Sequence, residues 1–120
     1  MKVALVSSGP PTFWNSQAGI EFRRWLTAAN NPSLSPNTFA VLAHCPKPTY
    51  SLDKEVESCN LLVLLGTNAW KSYKLSGLAT QYVLFPMPSP VARLNAPAFS
   101  QESVELQIEK LRAVAKLITT

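Results

Sequence analysis

Carboxylates are scarce in this chain: seven Asp and Glu stand against eleven Lys and Arg in 120 residues, giving a net charge of +4 and a pI near 9.3. A modestly basic surface suits an anionic partner such as nucleic acid, although many soluble domains carry such a charge without one. Charged residues make up only 15% of the chain while 47% is hydrophobic, which excludes a disordered polymer and supplies a real core. The two cysteines, Cys45 and Cys59, lack the pairing of a metal site, so no metal and free thiols are expected. No run approaches the roughly 18 apolar residues of a membrane span. The first residues offer only Val3, Ala4, Leu5 and Val6 before polar sequence, short of the about 7–15 apolar residues of a secretory signal. Cytoplasmic residence with no membrane partner is the expectation. With four glycines, the chain also lacks the glycine spacing of a dinucleotide or P-loop site. There is no internal repeat and no linker, so residues 1–120 read as a single domain.

What is present is a set of short apolar runs separated by proline-bearing loops. Residues 2–6, 38–42, 61–65 and 81–85 read as buried strands, and Leu61-Leu62-Val63-Leu64-Leu65 is apolar on both faces, as a central parallel strand requires. Between them lie helical patterns. Residues 18–29 place Phe22, Leu26 and Ala29 on one face, with Arg23 and Arg24 off it. Ser51 is expected to cap a short helix through Ser58, with Asp53 and Glu55 near its positive end. Thr67 or Asn68 is expected to cap a helix that stops before Gly77. A last helix follows Ser100, with Glu102 and Glu105 early and Lys110, Arg112 and Lys116 late. Its apolar stripe is Val104, Ile108, Leu111, Ala115 and Ile118. Strand alternating with helix predicts right-handed crossovers and a three-layer α/β/α fold, with a four-stranded parallel sheet in the order 2-1-3-4.

Ligands of open parallel sheets sit beyond the carboxyl ends of the strands. Residues 7–15, 44–48, 66–68 and 86–95 meet there, and they carry the single histidine, two aromatics and an arginine. Phe13 and Trp14 read in two ways, as a lid folded onto the core or as a flat wall for a planar base. Imidazole in general changes charge near neutral pH, so a histidine at position 44 suits acid, base or structural roles. Its neighbour Cys45 would point to the opposite face of the strand, which argues against a Cys/His nucleophile. Three prolines between residues 86 and 90 stiffen the fourth loop, where Ser89 and Arg93 offer a hydroxyl and a guanidinium suited to phosphate oxygens.

That loop carries a family resemblance. Met87-Pro88-Ser89-Pro90-Val91-Ala92-Arg93 resembles the second signature of the uracil-DNA glycosylase superfamily, in the form used by its mismatch-specific thymine/uracil branch. Gly9-Pro10-Pro11 followed by Ala18-Gly19-Ile20-Glu21-Phe22 is similar to the first signature. Cys45-Pro46-Lys47-Pro48 with Glu57-Ser58-Cys59 is similar to a region of the iron–sulfur branch, and Leu64-Leu65-Gly66-Thr67-Asn68-Ala69-Trp70 to a strand end of the superfamily. These blocks span nearly the whole chain, and the fourth-loop motif is the specific one.

The resemblance implies a uracil-DNA glycosylase-like fold that binds DNA and flips a nucleotide into a pocket at a cost of a few kcal/mol. It would excise a deaminated or modified base by hydrolysis. Met87, Pro88, Ser89, Val91 and Arg93 would face DNA, with Ser89 on phosphate and residues 91–93 probing the vacated gap. Gly9, Pro10, Phe13, Trp14 and Val41 would form the base pocket. Gly9 holds the place where the family often carries a water-positioning Asn or Asp, which leaves Ser8, Asn15 and His44 as catalytic candidates. Val41 stands where the family has a base-reading Asn. Two of four cluster cysteines have counterparts, so no iron–sulfur cluster and no other cofactor are expected. Two other functions compete: a catalytically inactive relative that binds DNA or a base, and a small nucleoside- or nucleotide-processing enzyme.

Overall fold

The computed structural model describes residues 1–7, 12–88 and 103–119. Four strands, β1 (Val3–Ser7), β2 (Phe39–His44), β3 (Leu61–Leu65) and β4 (Gln81–Phe85), form one all-parallel sheet in the order β2-β1-β3-β4. Every residue of β1 and β3 is buried, as their uninterrupted apolar runs demand of central strands. The edge strand β4 leaves Gln81 and Tyr82 exposed.

Helices cover both faces, giving three layers. On one face, α1 (Gln17–Ala29) and α4 (Val104–Thr119) pack on Val3, Leu5, Leu61, Val63, Leu65 and Phe85. On the other, α2 (Asp53–Val56) and α3 (Gly66–Leu75) cover Ala4, Val6, Ala43, Leu62 and Leu64. Alternate strand residues thus feed two separate cores, the period-two consequence of the pleat. Of the stripe expected for the last helix, Leu111 and Ala115 are core residues, and Val104, Ile108 and Ile118 pack partly buried against them. Ser103 Oγ accepts the Leu106 N–H at 3.1 Å, while Ser100 and Glu102 lie outside the described residues. Among the described residues, no helix is long and apolar enough to cross a membrane.

The structure corrects two expected caps. Helix α3 starts at Gly66, directly after β3, without Thr67 or Asn68 as its cap; a φ of 88° at Gly66 turns strand into helix in one step. Helix α2 is a single turn that Ser51 does not cap. The N–H of the preceding residue, buried Leu52, donates instead to Ser76 Oγ at the far end of α3, at 3.3 Å.

A bulge in β2 decides which residues face which layer. The β1–β2 register slips between Val3↔Phe39 and Ala4↔Val41, so Ala40 is an extra residue. Phe39 joins the core under α1, whereas Val41, Ala43 and Cys45 turn to the α2/α3 face. Leu42 and His44 are thereby returned to the α1/α4 face. Without the bulge the assignment of residues 41–45 would be reversed.

Candidate functional site at the carboxyl edge

Two helices begin at the carboxyl edge: α3 follows β3 directly, and α1 follows β1 through the turn at Phe13–Asn15. Helix α4 lies alongside, with Lys110 Nζ donating to the Leu84 carbonyl at 3.0 Å and Arg112 Nε to the Ala29 carbonyl at 3.3 Å. The positive ends of α1 and α3 therefore face the same side. The connections leaving β1, β2 and β4 there, residues 8–16, 45–52 and 86–103, carry Glu102 as their single carboxylate. One carboxylate in those connections leaves the edge electrostatically suited to an anion.

The first part of the site is built on α1. A short 3-10 turn, Phe13–Asn15, lies against the start of the helix, and Ser16 fastens the two. Its Oγ accepts the Gly19 N–H at 3.1 Å and donates to the Phe13 carbonyl at 2.5 Å. The approach is so close that only glycine fits at position 19: a Cβ there would lie 1.9 Å from Phe13 O and 2.8 Å from Trp14 Cα. This tight seat sorts the two aromatics. Phe13, 3% exposed, is a core residue. Trp14 is half-buried, with its indole stacked on Phe22 at 6.2 Å and tilted against Phe39 at 6.1 Å. Of the expected wall, only Trp14 therefore keeps surface for a planar ligand, and Asn15 beside it is exposed.

The second part is the end of β1 and β2. Ser7 pairs with His44 across the strands, so both side chains stand on the α1/α4 face. Ser7 is buried, and His44 Nδ1 is a buried nitrogen with no hydrogen-bond partner. Cys45 lies on the opposite face, its thiol buried between Ser72 Oγ at 3.1 Å and the Lys47 carbonyl at 3.4 Å. Val41 is not at this edge: it pairs with Ala4 and packs with the α2/α3 core, three residues before the strand ends.

The third part follows β4. Met87 closes over Gly66, where a Cβ would lie 3.5 Å from Met87 Cβ. Buried Pro88 meets Gln17, Ile20, Glu21 and Arg24 of α1 around a cleft of about 270 Å³. Glu21 in this cleft is committed, accepting from Trp25 Nε1 at 3.2 Å and from Arg24 at 3.1 Å. The structure thus brings Trp14, His44, Met87 and Pro88 to one edge with Asn15. Ser8, Gly9, Pro10, Ser89, Val91 and Arg93 lie outside the described residues. Sequence reasoning missed Gly19 as the seat of the aromatic turn, although Gly inside an amphipathic helix is itself a signal of close approach. Among the described residues no group of three or more His, Cys, Asp and Glu could hold a metal ion.

No family model, no curated protein and no solved structure matches this chain.

Proposed function

We propose that this chain is a minimal DNA glycosylase-like protein that binds DNA at the carboxyl edge of its sheet and holds a flipped base there for hydrolytic excision. The observation that carries the reading is the position of Met87-Pro88-Ser89-Pro90-Val91-Ala92-Arg93, which begins two residues after β4 at the edge where ligands of parallel sheets bind. The N-termini of α1 and α3 and connections with a single carboxylate, Glu102, favour a polyanion at that edge. Trp14 supplies an aromatic surface, and His44 Nδ1, buried without a hydrogen-bond partner, is a polar atom at the same edge for a base or a water.

A second reading, binding without excision, is favoured by one of the same observations. The connections at that edge carry one carboxylate, Glu102, and the positions read as catalytic, Ser8, Asn15 and His44, include none to orient an attacking water. Labelled oligonucleotides containing uracil, hypoxanthine, xanthine or a G·T mismatch, treated with alkali after incubation and run beside a gel shift, separate the two. Strand cleavage at a lesion supports the glycosylase, and a shift without cleavage supports the inactive binder. Neither cleavage nor shift overturns both and leaves a free nucleoside or nucleotide as ligand. Arg93→Ala is expected to weaken DNA binding and to lower its salt slope by about one unit; an unchanged slope removes Arg93 from the phosphate contact.

A further inference from the structure

On the α2/α3 side of the sheet, away from the carboxyl edge, three aromatic rings meet beside the edge strand β4. Trp70 and Tyr73 of α3 lie with their planes 12° apart at 6.1 Å, and Tyr82 of β4 closes on them at 5.2 and 4.7 Å. The phenol of Tyr73 is tied to the Thr80 carbonyl at 2.8 Å, which fixes its ring. Tyr82 is 39% exposed, and Trp70 and Tyr73 are each half-buried. Lys74 Nζ lies 4.9 Å from the Trp70 ring centre, and Lys71, exposed like Lys74, follows Trp70 in the same helix. Residues 58–101 contain Lys71, Lys74 and Arg93 and no acidic residue. Tyr82 is three residues upstream of Phe85, so the patch stands about 10 Å below the carboxyl edge.

A cluster that served only to roof the core would not need two cations without an anion between them. Rigid rings, a phenol and an indole with polar tips, and unopposed positive charge together fit a flexible polyanion with planar groups. An apolar protein face would leave the lysines desolvated and unpaired. We infer that Trp70, Tyr73 and Tyr82 with Lys71 and Lys74 form a docking surface for single-stranded nucleic acid, on which bases stack while the lysines meet phosphates. The surface is separate from the carboxyl edge and does not depend on its reading.

Anisotropy of a labelled oligothymidylate, which carries no lesion, tests it with the full chain over a range of salt. Tyr82→Ser is expected to weaken binding by roughly 5- to 150-fold, the loss of one stacked base. Lys71→Gln with Lys74→Gln is expected to lower the salt slope by about 1.4 units, two phosphate contacts on a single strand. Both lysines are exposed, so the double variant folds and keeps the wild-type melting temperature. Photo-crosslinks from a bromouracil-bearing strand should map to residues 70–82. Unchanged affinity and slope in both variants would overturn the inference. So would crosslinks confined to residues 8–16 and 86–102, or concentration-dependent self-association abolished by Tyr82→Ser, which would make the patch a dimer contact. Failure of lesion excision leaves this test untouched, because the strand is undamaged.

Discussion

Replacing Gly19 by alanine tests how the aromatic turn is seated. In an ordinary exposed helix this change would stabilise by about 1 kcal/mol, because alanine gives up less backbone freedom on folding. Here the new Cβ would stand 1.9 Å from the Phe13 oxygen and 2.7 Å from its carbon, both main-chain atoms that cannot swing aside. The turn over Phe13–Asn15 must lift by about 1 Å or more. Overpacking of that kind costs about 1–3 kcal/mol, and loosening the Ser16 cap costs about 1 kcal/mol more. The balance is a loss of roughly 1–3 kcal/mol, a fall in melting temperature of roughly 5–15 °C for a chain of this size. Calorimetry and urea unfolding read it directly, with the urea slope unchanged. Ala28→Gly, at an exposed position of the same helix, should cost only about 1 kcal/mol by propensity. A Gly19→Ala protein that melts at or above the wild-type temperature would refute the close approach. Because Trp14 rides on that turn, the same variant should also weaken DNA binding if the carboxyl-edge reading holds.

Gly66→Ala is expected to destabilise by about 1–2 kcal/mol for a different reason: space is available beside Met87, but a φ of 88° is costly for any residue with a Cβ. Gly66→Asn should lose less in the same melt, and equal stability of Gly66→Ala and wild type would contradict the strand-to-helix turn. Ser72→Ala should cost about 1–2 kcal/mol, since buried Ser72 Oγ donates to the Lys47 carbonyl at 3.0 Å and accepts from Cys45; thiol labelling of the variant should quicken. The Glu55 carboxylate, hydrogen-bonded to Tyr50 Oη at 2.5 Å, holds that phenol above its ordinary pKa of 10.0. The raised folded-state pKa means that this contact stabilises fully below about pH 10 and is lost as pH rises through the folded value. Alkaline absorbance titration should show a late phenol for Tyr50 that vanishes in Tyr50→Phe.

The layered fold was legible because its signals are local and redundant. Leu61–Leu65 and Gln81–Phe85 were read with the observed bounds, and the alternation of strand and helix is enough to imply a parallel sheet and its order. The stripe of α4 follows in the same way from 3.6 residues per turn. The caps were less legible, since Gly66 replaces a side-chain cap by conformation and Ser76 serves Leu52 from the end of another helix.

Sequence alone determined that the chain would bury two faces of a parallel sheet and gather the loops that follow its strands at one edge, because apolar periodicity and crossover handedness leave little else. Only tertiary structure decided what those loops present. One extra residue in β2 turned His44 to the face of Ser7 and sent Cys45 and Val41 to the other core. The missing side chain of Gly19 drew Phe13 into the interior and left Trp14 half outside. Nor does any window of sequence bring Tyr82 onto Trp70 and Tyr73; that meeting exists because β4 lies beside β3, under α3. Burial on a pleated sheet has a period of two, so a single inserted residue or a single missing Cβ changes which side chains reach solvent while leaving the pattern of apolar runs unaltered.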